Sequence, residues 1–280
     1  MSRVAIGVPV FNEEKYIAKT IASVLCQFED SPDLEILISD NGSTDNSVRE
    51  IEETLNLFPD FSSSVRLTKH STNLGADFNF WHVYDETDSD YFLWVGAHDQ
   101  ISKGYVSLGA QHLSESPNIG MFCGKHQAIT PDGLVMEQTI EYDFSQENPA
   151  ERYLRSIASL VNCYIFHSMF RRSSLNGFDR EKKAPSADHI LISRWLWSGR
   201  LFQSEECGYL RRYFPSENRK KKAQSGNYVH RRNNVQFFDA YLSDLEQLAS
   251  GLPKHVKQAL IQQATELLIK RFGIPYVQST

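Results

Sequence analysis

The sequence predicts an α/β fold, a mostly parallel mixed sheet flanked by helices and followed by a C-terminal helical extension. Three observations predict it. Two strand–turn–helix units fill the first fifty residues. The strand segments are near-continuous apolar runs, the pattern of parallel strands buried on both faces. Each run ends in a polar turn built from Asn, Asp, Ser or Gly, where an open α/β sheet presents its ligand-binding edge.

The first strand is Val4–Val10, and Phe11-Asn12-Glu13-Glu14 forms a turn whose acids favour a helix N-terminus. Ile17, Ile21, Val24, Leu25 and Phe28 then recur at helical spacing. Leu34, Ile36, Leu37 and Ile38 make the second strand, which ends at Ser39-Asp40. Asn41-Gly42 and Ser43-Thr44-Asp45 supply a tight turn and an N-cap for a helix over Asn46–Thr54. Two such units in succession imply parallel strands joined by right-handed crossovers. A third strand over Ser64–Thr68 leads through Asn73-Leu74-Gly75 to a helix at Ala76–Tyr84. Tyr91–Val95 is an uncharged aromatic strand ending in Gly96-Ala97-His98-Asp99-Gln100, and a helix starts within Ile101–Gly104 and runs toward Ser114.

Further strands are expected at Ile119–Cys123, Asn162–Phe170 and Arg200–Leu210, with a hairpin turn at Thr130–Gly133. Helices are expected at Glu151–Ser159 and Asp188–Ser198, the latter ended by Gly199. Arg211–Arg232 is rich in Arg and Lys and reads as a flexible basic loop. Amphipathic helices at Val235–Ser250 and Pro253–Arg271 follow, broken by Gly251-Leu252-Pro253.

Composition excludes several classes. The 280 residues, 41% hydrophobic and 23% charged, are those of an ordinary globular chain with room for a substantial core. A net charge of −6 argues against general nucleic-acid binding. The N-terminus enters a strand directly rather than a signal peptide, and no apolar run approaches the roughly 20 residues that cross a bilayer. Cys26, Cys123, Cys163 and Cys207 lack metal or redox spacing and read as reduced, which fits a cytoplasmic protein. No G-x-G-x-x-G follows the first strand, which disfavours a dinucleotide-binding dehydrogenase.

Together these segments resemble the family 2 glycosyltransferases, whose fold is the Rossmann-like GT-A fold. The resemblance covers about residues 3–210. It is carried by Val8-Pro9-Val10-Phe11-Asn12-Glu13-Glu14, by Ile38-Ser39-Asp40-Asn41-Gly42-Ser43-Thr44-Asp45 and by Asn73-Leu74-Gly75. Trp94-Val95-Gly96-Ala97-His98-Asp99 falls where the family carries an acidic metal motif, and is most like the abequosyltransferase-like members. Gly177-Phe178-Asp179, Ala187-Asp188 and Gly199-Arg200 resemble the acceptor-side block. The resemblance implies residues 1–105 as a nucleotide-sugar-binding half and 106–210 as an acceptor half, with 211–280 as an appended loop and helices.

It also implies the chemistry. A sugar would pass from a nucleotide-diphosphate donor, UDP-linked by family habit, to an acceptor hydroxyl with inversion, in cell-surface glycan or polysaccharide synthesis. Pro9, Phe11, Glu13, Asp40, Asn73, His98 and Asp99 would bind the donor, with Asp40 accepting from the base. Asp99, with or without His98, would bind Mg²⁺ or Mn²⁺ bridging the diphosphate. Asp188 would take the acceptor's proton. Ala97 stands where relatives carry an acid, which leaves three readings: Asp99 suffices with the phosphates, His98 joins it and shifts metal preference, or turnover is lost and the chain only binds sugar nucleotides. Each residue also has a plainer role. Asp40 and Asp188 suit helix starts, Asp99 and Asn73 suit turns, Glu13 suits a helix dipole and His98 suits a pocket wall. The acceptor, a glycan or a lipid-linked one, is not fixed. The basic loop is a solvated segment, a lid over the diphosphate, or a peripheral contact with the inner membrane face. The apolar faces of the last helices must be buried, on the domain or against a second copy.

Overall fold

The computed structural model describes residues 3–31, 33–61, 63–136, 140–160, 162–181, 187–214 and 235–275. They form two compact units. The first comprises residues 1–142, 167–173 and 202–213, and the second residues 143–166, 174–201 and 214–280.

The first unit opens as the hydrophobic pattern requires. Strand β1 (Val4–Val10) is followed by α1 (Ile17–Leu25), which continues as a 3₁₀ turn over Cys26–Glu29. Then come β2 (Leu34–Asp40), α2 (Ser47–Asn56), β3 (Val65–Lys69), α3 (Ala76–Asp85) and β4 (Tyr91–Trp94). Strand β1 pairs in parallel with β2 on one side and β4 on the other, and β2 pairs in parallel with β3. The register sets Val10 beside Asp40 and Asp40 beside Lys69, so three strands end level.

The rest of the unit adds β5 (Gln100–Ile101), α4 (Tyr105–Glu115), β6 (Ile119–Ile129), β7 (Val135–Met136), β8 (Met169–Arg171) and β9 (Arg200–Arg212). The strand order is β3-β2-β1-β4-β8-β6-β9-β5, with β7 on β6. Pairings β4–β8, β6–β8 and β5–β9 are antiparallel, which gives the mixed sheet expected. Its core is continuous from Val4, Ile6 and Val8 through Ile36, Ile38 and Leu93 to Phe122 and Tyr209.

Three expectations are corrected. The segment Asn162–Phe170 is not one strand: Tyr164–His167 is a 3₁₀ turn, begun where Asn162 Oδ1 accepts from Tyr164 N, and only Met169–Arg171 is extended. The helix expected from Ile101–Gly104 starts at Tyr105 instead, because Gln100–Ile101 pairs with β9. Arg211 and Arg212 close β9 rather than open a loop. The remainder of the basic stretch, from 215 to 232, lies outside the described residues.

The second unit is helical. Helices α5 (Pro149–Ser159), α6 (Ala187–Ser198), α7 (Val235–Leu248) and α8 (Lys254–Phe272) bury Tyr153, Ile157, Ile190, Phe237, Tyr241, Leu245, Leu260 and Leu268 together. The last two helices thus pack their buried apolar residues within their own unit, while Val256 and Ile269 of α8 stay exposed. Inside it Arg194 and Asp244 form a buried ion pair at 2.5 Å. No helix of the described residues is long and apolar enough to cross a membrane.

Candidate functional site

The turns after β1 and β2 are locked to each other by side chains from both, Asn12 and Glu14 on one and Ser43, Asp45 and Ser47 on the other. Asn12 takes a left-handed backbone (φ 54°), which Asn tolerates better than most residues. Its Oδ1 accepts from Thr44 N at 2.8 Å, and its own N–H donates to Ser43 Oγ at 2.9 Å. Glu13 N donates to Ser47 Oγ at 2.7 Å and Glu14 N to Asp45 Oδ2 at 3.2 Å. In return Glu14 Oε2 accepts from Asn46 N. Asp45 Oδ1 accepts from the N–H of Ser47, the first residue of α2, at 2.9 Å. Burial pushes the Asp45 carboxyl up, but hydrogen bonds from Ser47 and Glu14 more than offset it and leave it below the ordinary value.

The third turn is tied in by a second set of bonds. Asn41 Nδ2 donates to Asn73 Oδ1 (3.0 Å) and to Gly75 O (2.9 Å), while Leu74 N donates to Asn41 Oδ1. Asn73 Oδ1 also accepts from Gly75 N, so this side chain shapes its own turn. Gly42 is at φ 72°, and a Cβ there would fall 2.6 Å from the Thr72 backbone. Glycine lets the second and third turns touch.

Asp40 stands at the centre of this frame. It is 2% exposed, and its Oδ2 accepts from Ser43 N at 3.0 Å. Its Oδ1 is buried and has no hydrogen-bond partner among the described residues. Such an acceptor is costly to leave unmet. Pro9 lies on β1 opposite Ser39, and Phe11, just beyond the strand, is exposed.

The fourth tip is Gly96–Asp99. Asp99 is 1% exposed. Its Oδ2 accepts from the Tyr209 hydroxyl at 2.9 Å and its Oδ1 from Arg212 N at 2.8 Å. The Tyr209 oxygen in turn accepts from Gly96 N. A Cβ at Gly96 would lie 2.7 Å from Asp99 Oδ2, so glycine makes the room into which the carboxylate folds. Thr20 Oγ1 lies within hydrogen-bond reach of the carbonyls of Ala97 and Asp99. His98 Nδ1 donates to Glu13 Oε1 at 3.0 Å, so two of the expected donor-site residues are paired.

Arg212 closes this tip. Its Nε donates to His98 O (2.9 Å), and its Nη1 to Thr130 O (2.9 Å) and Pro131 O (2.6 Å). Its guanidinium lies over the Tyr16 ring, 4.6 Å from the centroid. Burial lowers its pKa, and Tyr16, Asp99, Asp132 and Glu13 act the other way. Tyr209 and Arg212 escaped sequence reasoning. Tyr209 lies in the strand expected at Arg200–Leu210, where no motif marks it, and Arg212 falls by composition with the basic run that follows.

The donor set does not fit a divalent cation at Asp99. Both carboxylate oxygens already accept protein hydrogen bonds and the residue is sealed from solvent. Gly96 and Ala97 offer no ligating side-chain atoms. No group of three or more His, Cys, Asp or Glu among the described residues could hold a metal. A hard cation held by one carboxylate and the phosphates still needs that carboxylate within reach, and Asp99 is buried.

Asp188, expected as the base, belongs to the second unit. It occupies the first turn of α6, where its Oδ1 accepts from the N–H of His189 at 2.9 Å.

This geometry can be set beside known proteins. Abequosyltransferase RfbV of Salmonella typhimurium is 27% identical over 195 residues, which is 70% of this chain and 48% of that protein. The chain therefore spans about half the length of this relative. S. aureus TarS 1–349, solved in complex with UDP-GlcNAc, superimposes with a TM-score of 0.65 at 16% identity, covering 96% of this chain and 73% of that one. Mannosyltransferase PcManGT from Pyrobaculum calidifontis, solved with GDP-Man and Mn²⁺, gives a TM-score of 0.56 at 12% identity over 99% of this chain and 76% of that one. These likenesses show the fold, which is the GT-A fold expected from the sequence. The model of glycosyl transferase family 2 matches residues 5–178, well over half of the sequence, and the chain belongs to that family.

Proposed function

We propose that the protein is an inverting glycosyltransferase that takes a sugar from a nucleotide-diphosphate donor and places it on a hydroxyl of a glycan acceptor. One observation carries the donor half of this reading: the buried, unpartnered Oδ1 of Asp40 at the tip of β2. An acceptor atom held there suits an N–H of a pyrimidine base, with exposed Phe11 and Pro9 close in sequence to line the base. UDP-GlcNAc in a TarS complex and GDP-Man in the mannosyltransferase complex support a sugar nucleotide as donor and put UDP first among the bases to try.

In this reading residues 1–105 supply most of the donor site. Asn73 acts through the turn it shapes, and Glu13 through the orientation of His98. The base is Asp188. Its carboxylate takes the proton of the acceptor hydroxyl as that oxygen bonds to the anomeric carbon. The bond from that carbon to the diphosphate oxygen breaks with its electron pair, and the nucleoside diphosphate leaves. One displacement inverts the anomeric centre. The divalent cation expected from the family resemblance has no step here, because the residues at Asp99 do not fit it.

Release of nucleoside diphosphate from a panel of sugar nucleotides, with glycan acceptors present, tests the reading. Asp188→Asn is expected to lower turnover about 10²- to 10⁴-fold while donor affinity stays within about twofold. Asp40→Ala is expected to weaken nucleoside diphosphate binding about tenfold. Turnover by Asp188→Asn at the parent rate would remove that residue from the mechanism. Donor binding without turnover by the parent chain, across the whole panel, would leave a sugar-nucleotide-binding protein instead.

A further inference from the structure

We propose that this chain holds the diphosphate of its donor with the guanidinium of Arg212 in place of a divalent cation, so that nucleotide binding needs no metal. The inference rests on the donor-site reading above.

Three features of the Gly96–Asp99 tip lead to it. First, the position a metal would use is closed to solvent. Asp99 accepts from Tyr209 on one oxygen and from Arg212 N on the other and is 1% exposed, so its carboxylate is held inside the fold rather than presented to an ion. Second, a permanent cation is built in. Arg212 binds Asp99 through its backbone and the motif's own His98 carbonyl through its side chain. The guanidinium thus supplies at this tip the positive charge that an added ion would otherwise bring.

Third, the guanidinium has donors to spare. Of its five N–H groups, Nε and Nη1 serve three carbonyls. Nη2 is buried and has no partner among the described residues. A buried ionic donor without an acceptor is among the costlier defects a fold can carry. An oxygen acceptor brought by a ligand resolves it, and the planar fork of Arg matches phosphate oxygens. The group is also fixed in advance by Tyr16 and the three carbonyls, so little side-chain freedom is lost on binding. Against burial, Asp99, Asp132 and Glu13 lie close enough to favour its charged form, so the guanidinium is kept as a cation at the tip. On the donor-site reading, the two atoms left unmet among the described residues, Asp40 Oδ1 and Arg212 Nη2, serve different parts of the donor. Asp40 offers an acceptor to a base, and Arg212 offers donors to a diphosphate.

Calorimetric titration of the full chain with UDP, CDP, GDP, ADP and dTDP decides the matter, run once in EDTA and once with Mn²⁺ or Mg²⁺. The nucleotide that binds best is expected to keep its Kd within about threefold when metal is removed, since no protein–metal bond is lost. Arg212→Met retains the backbone N–H on Asp99 and is expected to weaken that nucleotide about tenfold or more, the loss of a charge-assisted contact. Binding of the matching nucleoside, which has no diphosphate, is expected to be unchanged in the same variant. Arg212→Lys should fall between the two. Binding that vanishes in EDTA and returns with Mn²⁺ would overturn the proposal and leave the donor-site reading standing. So would parental affinity in Arg212→Met. If none of the five binds under either condition, the donor-site reading itself falls, and this inference with it. Should Arg212→Met fail to show a cooperative melt, the EDTA comparison on the parent chain still decides.

Discussion

At the scale of single residues, Asn12 is where local strain and site geometry meet. Its φ of 54° costs an ordinary L-residue about 1–2 kcal/mol. Its side chain also holds Thr44 N, so the residue serves the turn twice. Asn12→Gly keeps the backbone and loses the acceptor, whereas Asn12→Ala loses both. The alanine variant is therefore expected to be about 1 kcal/mol less stable than the glycine variant in urea unfolding, because only glycine enters this region freely. Equal stability would mean that the turn relaxes to an ordinary conformation. How legible such residues were in the sequence depended on where their partners lie. Asp40 was placed correctly at its strand tip because strand, turn and helix start are contiguous. The fate of Asp99 was not legible, since its partners Tyr209 and Arg212 are 110 and 113 residues away. A motif that reads as an open metal site becomes a sealed one only when β9 arrives.

At the scale of elements, local pattern was enough where strands are short, apolar and followed by their own helix. The units from β1 to β4 were legible to within a residue or two for that reason. Pattern failed where pairing is non-local. The two residues of β5 are extended only because β9 runs beside them, and Tyr164–His167 is apolar enough to read as strand yet coils under a local Asn162 bond. Strand β9 thus organises both the edge of the sheet and the fourth tip, and Tyr209 is the residue through which it does so. Its hydroxyl donates to Asp99 and accepts from Gly96 N. Tyr209→Phe leaves a buried carboxylate oxygen and a backbone N–H unmet, at an expected cost of about 1–3 kcal/mol in unfolding free energy measured by urea denaturation. Because the phenyl ring keeps its packing, a loss well below this range would mean that water takes over both bonds.

At the scale of the whole molecule, stability is expected to fall on mild acidification, and the cause lies in both units. Burial holds His126 at about 3 and His167 at about 4 in the first unit, with Asp99 partly restoring the latter. Burial, helped by the charge of Arg271, holds His189 at about 3 in the second. All three are neutral in the folded chain at neutral pH, while their unfolded counterparts protonate near 6.5. Below that value the unfolded state binds more protons than the native state, so stability declines as pH falls from about 6.5 toward 3–4. Asp244 acts in the opposite sense. Burial pushes it up to about 6 against the pull of Arg194, and protonation in that window favours the fold. One carboxyl does not outweigh three imidazoles, each displaced further from its ordinary value. Urea midpoints at about pH 7 and pH 5 should therefore show the lower value at pH 5. His189→Gln removes one of the three sites, and the difference between the two midpoints should shrink even though the variant starts from a less stable fold. A midpoint that rises on acidification would mean that Asp244 dominates, and that the charged Arg194 pair, rather than the buried histidines, sets the proton balance of folding.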